Sequence, residues 1–229
     1  MPAKKSQNKS NIKVDKHIAE KRVKKILPIL KKTYPEAKTA LKFNSTLELL
    51  IATVLSAQCT DVRVNIVTQD LFKKYRTAAD WADKEISEIE QDIKSTGFYR
   101  NKAKNIKAAC NRIVQDYSGK VPDNLAEMVK LPGVGRKTAN VVLGNAFGKP
   151  AVACDTHVIR LSRRLGLSEN KDAVKLEFDL MEIVPRSEWT RFSHLLIFHG
   201  RSICKSRRPD CAGCVVAGHC PSANRPKLW

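Results

Sequence analysis

No stretch of about 18 consecutive apolar residues occurs anywhere in the sequence, so no membrane-spanning helix and no membrane partner are expected. The opening MPAKKSQNKSNIKVDK lacks the apolar core of a secretory signal, and it is neither arginine-rich nor amphipathic as a transit peptide would be. Strand signals are missing too, since apolar and polar residues nowhere alternate in a sustained way. No segment repeats at a period of about 20 to 50 residues, which argues against a solenoid or propeller. Acidic side chains are scarce: 23 Asp and Glu stand against 42 Lys and Arg, a net charge of +19. Such an excess points to a polyanion, because Lys and Arg gain free energy by displacing counterions from phosphates.

What is present is a 42% hydrophobic content over 229 residues, enough for one large domain or two small ones with a real core. The first 25 residues hold nine basic and two acidic side chains, and residues 1–16 read as a flexible basic arm. Seven cysteines without a signal peptide point to a reducing compartment, so a cytoplasmic rather than a secreted protein is expected, and the basic excess adds the expectation of association with the nucleoid.

Helix signals recur along the chain. DKHIAEKRVKKILPILKKTYP predicts a helix with Pro28 as its kink or boundary. NSTLELLIATVLSAQ opens on Ser45 and Glu48 at capping-box spacing, then presents Leu47, Leu49, Leu50, Ile51, Val54 and Leu55. A helix apolar nearly all round belongs at the centre of a domain. Thr60 or Asp61 caps DVRVNIVTQDLFKKY, Gly97 stops ADKEISEIEQDIKST, and Gly119 stops NKAKNIKAACNRIVQDYS. The periodicity is loosest over 77–96. Pro122 and Asp123 start NLAEMVKL, and a PGVG turn separates it from RKTANVVLGNAF. Asp155 caps THVIRLSRRL, which Gly166 ends, and AVKLEFDLMEIV and SEWTRFSHLLIFHGRSI follow. About ten helices with short connections make the fold class all-α.

Beyond Cys204 the chain turns rich in Pro, Gly and Cys and poor in periodic apolar residues, so something other than a hydrophobic core must order it. Cys204, Cys211, Cys214 and Cys220 stand at gaps of six, two and five residues. Four thiolates at short range form a complete ligand set for zinc or for a [4Fe–4S] cluster. Zinc sites usually pair two closely spaced C-x-x-C units, and only Cys211 and Cys214 are so spaced, which favours iron–sulfur. Lys205, Arg207 and Arg208 crowd the first loop and are candidate phosphate contacts. Cys59, Cys110 and Cys154 lie in helical surroundings, where a lone cysteine usually acts as a small buried hydrophobe.

LPGVGRKTANVVLGNAFG, residues 131–148, is not a P-loop: one residue rather than four separates Gly133 from Gly135, and Arg136 precedes Lys137. The pattern is instead a joint between two helices with bare backbone amides. Its glycines let the backbone approach a ligand closely, and the free N–H groups and positive dipole end of the second helix suit phosphate.

LPGVGRKTANVVL, then CDTHVIR, then the C-x6-C-x2-C-x5-C ending together resemble the endonuclease III family, the iron–sulfur branch of the helix-hairpin-helix DNA glycosylases. LSAQCTD and TGFYRNKAKNI match in register, and the resemblance spans residues 20–222. It implies removal of oxidised pyrimidines from duplex DNA, followed by strand cleavage at the abasic site. Lys137 resembles the catalytic lysine and Asp155 the catalytic carboxylate. Gln58 and Phe98 fall where the family fills the gap left by an extruded nucleotide, a position often occupied by Leu rather than Phe. Leu131, Gly133, Val134, Gly135, Arg136 and Thr138 would form the hairpin contact to DNA, with His157 as a further one. The implied cofactor is a [4Fe–4S] cluster on the four cysteines. The implied partner is double-stranded DNA containing damaged bases or abasic sites, bound by a monomer. The implied architecture sets residues 39–149, a six-helix domain with the hairpin, against a cluster domain joining 17–38 to 150–222, with a tail at 223–229.

Overall fold

A computed structural model describes residues 14–223 and 225. The basic arm therefore lies outside the described residues up to residue 13, and so does most of the tail. Among the described residues there are eleven α-helices, three single-turn 3-10 segments and no strand.

Helix α1 (Lys16–Thr33) starts at Asp15, whose carboxylate accepts the Ile18 N–H at 2.9 Å. It runs through Pro28 rather than breaking there. Pro28 lies on the exposed face, where water can satisfy the carbonyl that loses its helical donor. Helix α2 (Thr46–Leu55) is capped by Ser45, but Glu48 reaches back to the Asn44 N–H at 2.6 Å rather than to that of Ser45. Thr60 caps α3 (Asp61–Lys74), and its hydroxyl accepts the Arg63 N–H. The weakly periodic stretch from 77 to 96 is not one helix. It divides into α4 (Ala78–Asp83), α5 (Ile86–Ile93) and a 3-10 turn, Lys94–Thr96. Thr77 and Asp80 form a capping box at the head of α4. Helix α6 (Tyr99–Tyr117) follows, and then α7 (Leu125–Met128), which is shorter than its sequence pattern suggests. The last four are α8 (Arg136–Ala146), α9 (Thr156–Arg164), α10 (Ala173–Ile183) and α11 (Trp189–Ser202).

The buried apolar side chains separate into two cores. The first gathers residues from Leu41 to Ala151 around α2, whose Leu49, Leu50, Ile51, Ala52 and Leu55 are all buried. Fully buried Trp81 stacks on Tyr75 within it, ring centroids 4.3 Å apart. The second core joins α1 to α9, α10 and α11 and ends at Val216.

Helix α8 buries Ala139, Val142 and Leu143 in the first core and meets the second side through three specific contacts. Buried Asn140 donates to the Val152 carbonyl at 2.9 Å. Gly144 lets α11 come so close that an added Cβ would stand 2.6 Å from Thr190 Oγ1. Arg136, the first residue of α8, holds Glu177 of α10 in a two-pronged pair at 2.7 and 2.8 Å, with the Glu177 side chain almost wholly buried. Two predictions follow from this seam. Gly144→Val should cost roughly 1–3 kcal/mol by overpacking against Thr190, read as a lower urea midpoint at unchanged slope. Glu177→Gln removes one charge of a buried pair and should cost roughly 1–3 kcal/mol in the same assay; an unchanged midpoint would mean the pair contributes nothing.

Candidate active site

Met128 ends α7, and the chain reverses through Leu131, Pro132, Gly133 and Val134 into α8. The Leu131 N–H donates to the Met128 carbonyl and the Val134 N–H to the Leu131 carbonyl, each at 3.1 Å. Leu131 and Val134 bury their side chains in the first core, so neither side chain is offered to a ligand. Gly133 has φ +74°, and a Cβ there would meet Asn105 Cβ at 2.6 Å, so both conformation and space require glycine. Gly135 is different. Its φ of −81° and ψ of 169° suit any residue, and nothing lies within 4 Å of where a Cβ would be. It stands exposed at the N-cap of α8 with no side chain closing the first turn. The leading amides and the positive end of the helix dipole therefore face outward.

Arg136 does not point outward with them. Its guanidinium is committed to Glu177 and lies over the Phe178 ring at 5.1 Å, so the hairpin's contribution to an anion falls to its amides. Burial of Glu177 was not legible from the run of the sequence, and it makes Arg136 a poor candidate for direct contact with DNA. Thr138 is half-buried.

Lys137, next along α8, is exposed and lines a cavity shared with Asp155. Asp155 is held at the head of α9 by accepting the Val158 N–H at 2.8 Å. The Asn140 bond to Val152 fixes the segment leading into Asp155 against α8, one turn beyond Lys137. The cavity is completed by residues that the sequence pattern did not single out, among them Asp61, Asn145, His194 and Arg201. Arg201 of α11 pairs with Asp61 of α3 at 3.0 Å, and His194 Nε2 meets Asn145 Oδ1 at 2.8 Å. Burial pulls the pKa of His194 below its ordinary value, with the nearby Asp155 charge opposing and Arg201 assisting. His157 is also pulled down, first by burial, against the charge of Asp155. It packs beside Arg160, Nδ1 to Nη2 at 3.1 Å, over the bare Cα of Gly200. Its ring is thus taken up within the α9–α11 contact.

Gln58 and Phe98 stand on two neighbouring loops of the first core. Both are exposed and both have left-handed backbone, φ 53° and φ 49°. A non-glycine residue in that region is uncommon and is retained at a cost of about 1–2 kcal/mol.

The four cysteines of the C-terminal segment are half-buried, unpaired and set around one cavity lined also by Leu161, Leu165 and Ile203. Arg164 organises the first loop: its guanidinium reaches Cys204 Sγ at 3.4 Å and the carbonyls of Lys205 and Ser206 at 2.8 and 2.7 Å. Lys205, Arg207 and Arg208 project from that loop, exposed. His199 Nε2 lies 3.4 Å from Cys214 Sγ, and burial drops its pKa to about 4, so the ring is neutral. Ser222 Oγ is buried at the cavity wall with no partner. Among the described residues no group of three or more His, Cys, Asp or Glu is arranged to hold a single metal ion. Of the other cysteines, Cys110 and Cys154 are buried and Cys59 half-buried.

Residues 51–186 match the family model of the HhH-GPD superfamily base excision DNA repair protein. Endonuclease III of Synechocystis sp. is 52% identical over 205 residues, 89% of this chain and 94% of that protein. A non-covalent endonuclease III–DNA complex superposes with a TM-score of 0.86 at 46% identity, covering 90% of this chain and 97% of the other. A trapped endonuclease III–DNA covalent intermediate, an estranged-adenine complex, matches with the same TM-score, identity and coverage. The hairpin before Lys137, the capped Asp155 and the four-cysteine segment thus lie on a scaffold whose lineage is defined: the chain belongs to the endonuclease III family of the HhH-GPD superfamily.

Proposed function

We propose that the protein is a bifunctional DNA glycosylase and abasic-site lyase that removes oxidised pyrimidines from duplex DNA. The observation that carries the reading is the shared cavity of Lys137 and Asp155 beside a hairpin with outward-facing amides. The outward amides at the head of α8, from Gly135 to Lys137, bind a backbone phosphate, with Gly135 leaving room for it. Lys205, Arg207 and Arg208 take further phosphates along the same duplex. The damaged nucleotide leaves the stack, and Gln58 and Phe98 occupy its place.

The chemistry then follows from one amine and one carboxylate. The Lys137 amine, as free base, attacks the sugar C1′ while the bond from C1′ to the base breaks. The departing base carries away the bonding electron pair. Asp155, fixed by its cap to α9, stabilises the positive charge that develops on the sugar and accepts the proton that the amine sheds. The C1′–O4′ bond then breaks, the ring oxygen takes the proton held by Asp155, and a protonated imine forms between Lys137 and C1′. The imine acidifies the C2′ proton, and its removal expels the 3′ phosphate by β-elimination, which cuts the strand.

The cysteine cavity fits a [4Fe–4S] cluster held by Cys204, Cys211, Cys214 and Cys220. It has a four-thiol donor set, apolar walls, the Arg164 guanidinium beside Cys204 and an orphan hydroxyl at Ser222. Bound there, such a cluster supplies a cross-link for a segment too poor in apolar residues to order itself. The partner is double-stranded DNA with damaged bases or abasic sites, the working unit is a monomer, and the setting is the nucleoid-bearing cytoplasm.

Borohydride reduction with an abasic duplex tests this reading. The intact, brown protein should form a covalent adduct, Lys137→Ala should form none, and Asp155→Asn should slow trapping by roughly 100-fold. An adduct of full yield from Lys137→Ala would refute the assignment of the nucleophile.

A further inference from the structure

The first turn of α6 holds a lysine that its surroundings disfavour. Lys102 is 5% exposed, and burial draws its pKa below the lysine range, with nearby Cys59 acting the other way. It is the fourth residue of α6, near the positive end of the helix dipole, where a cation is unfavourable. Two hydrogen bonds compensate: its Nζ donates to the Leu55 carbonyl at 2.8 Å and to the Thr96 carbonyl at 2.9 Å.

Those acceptors are particular. Leu55 is the last residue of α2, and Thr96 is the last of the 3-10 turn Lys94–Thr96. Carbonyls at helix C-termini lack intrahelical donors and carry partial negative charge, so one ammonium closes two helix ends. Beyond each end the backbone turns left-handed, three residues past Leu55 at Gln58 and directly past Thr96 at Gly97 and Phe98. Nothing lies within 4 Å of a Cβ at Gly97, so packing against that atom does not fix the second loop.

We propose that Lys102 is a positioning residue for base extrusion. Its ammonium ties the Gln58 loop to the Phe98 loop at a set separation, so that both side chains enter the vacated position of the duplex together. The inference rests on the reading above that Gln58 and Phe98 fill that position. Lys107, one turn and a residue further along α6, makes the same kind of contact elsewhere: its Nζ donates to the Ala82 carbonyl at 2.8 Å and to that of Lys84, at the end of α4. It closes a helix end that leads to neither loop, and so serves as the internal control.

The test compares two substrates on the cluster-loaded full chain. One is a duplex with a single thymine glycol, whose processing needs extrusion. The other is a single-stranded abasic oligonucleotide trapped with borohydride, which needs only the amine. Lys102→Met should slow the duplex reaction by about 10-fold or more, as sub-ångström misplacement of positioning groups does. Trapping on the single strand should stay within about twofold. Lys107→Met should lower the melting temperature without changing the ratio of the two rates. The Gln58→Ala/Phe98→Ala double variant should show the same split as Lys102→Met, and adding Lys102→Met to it should cost little more. Circular dichroism establishes folding first, and Lys102→Gln, one atom shorter but with an NH2 group that still donates, takes its place if Lys102→Met does not fold. Equal loss on both substrates, or no loss, overturns the inference. If the double variant shows no split, the gap-filling reading itself fails; if only the Lys102 variant shows none, the inference alone fails.

Discussion

The seating of α8 between two hydrophobic cores is the constraint on which the site depends. One helix carries the outward amides of the hairpin, Lys137 in its first turn, Asn140 one turn on and Gly144 one turn further. Asn140 is buried, and its amide must find a partner or lose about 1–3 kcal/mol; it finds the Val152 carbonyl, on the segment that delivers Asp155. Gly144 removes the side chain that would hold α11 away. Arg136 closes the remaining side by reaching Glu177. The Lys137 amine and the Asp155 carboxylate, which arise from different cores, are in this way placed on one cavity by packing rather than by a bond between them.

The two ends of the molecule solve a similar problem by different means. In the first core, exposed loops with left-handed backbone are anchored from below by a buried ammonium on helix-end carbonyls. In the C-terminal segment, which lacks apolar periodicity, a buried guanidinium grips the loop carbonyls while four thiols converge on one cavity. In both places a cation satisfies backbone acceptors and leaves neighbouring side chains free to face outward. The excess of basic residues is therefore not all directed at a polyanion: Arg136, Arg164, Lys102 and Lys107 work inside the protein.

Much of this was legible from the chain because it is local. Ser45, Thr60 and Asp155 cap helices whose start their chemistry announces, and Gly119 and Gly166 end others with positive φ. The four cysteines declare a common site by spacing alone. Pro28 misleads because a sequence does not say which face of a helix meets water. The stretch from 77 to 96 resists reading because its three short elements are fixed by tertiary packing, including buried Trp81. The partner of Arg136 lies 41 residues away, and the cavity joins Asn145 of α8 to Asp61 of α3 and to His194 and Arg201 of α11, a convergence that no local pattern encodes. Leu131 and Val134 were legible as part of the hairpin, but not that their side chains turn into the core.

The central claim is that the Lys137 nitrogen forms the bond to the sugar. Peptide mass mapping of the borohydride-reduced adduct tests it most directly. The account predicts a single peptide carrying the reduced sugar, with proteolysis by trypsin blocked after Lys137. A reduced sugar found on another lysine, or on the amino terminus, with Lys137 unmodified would contradict it.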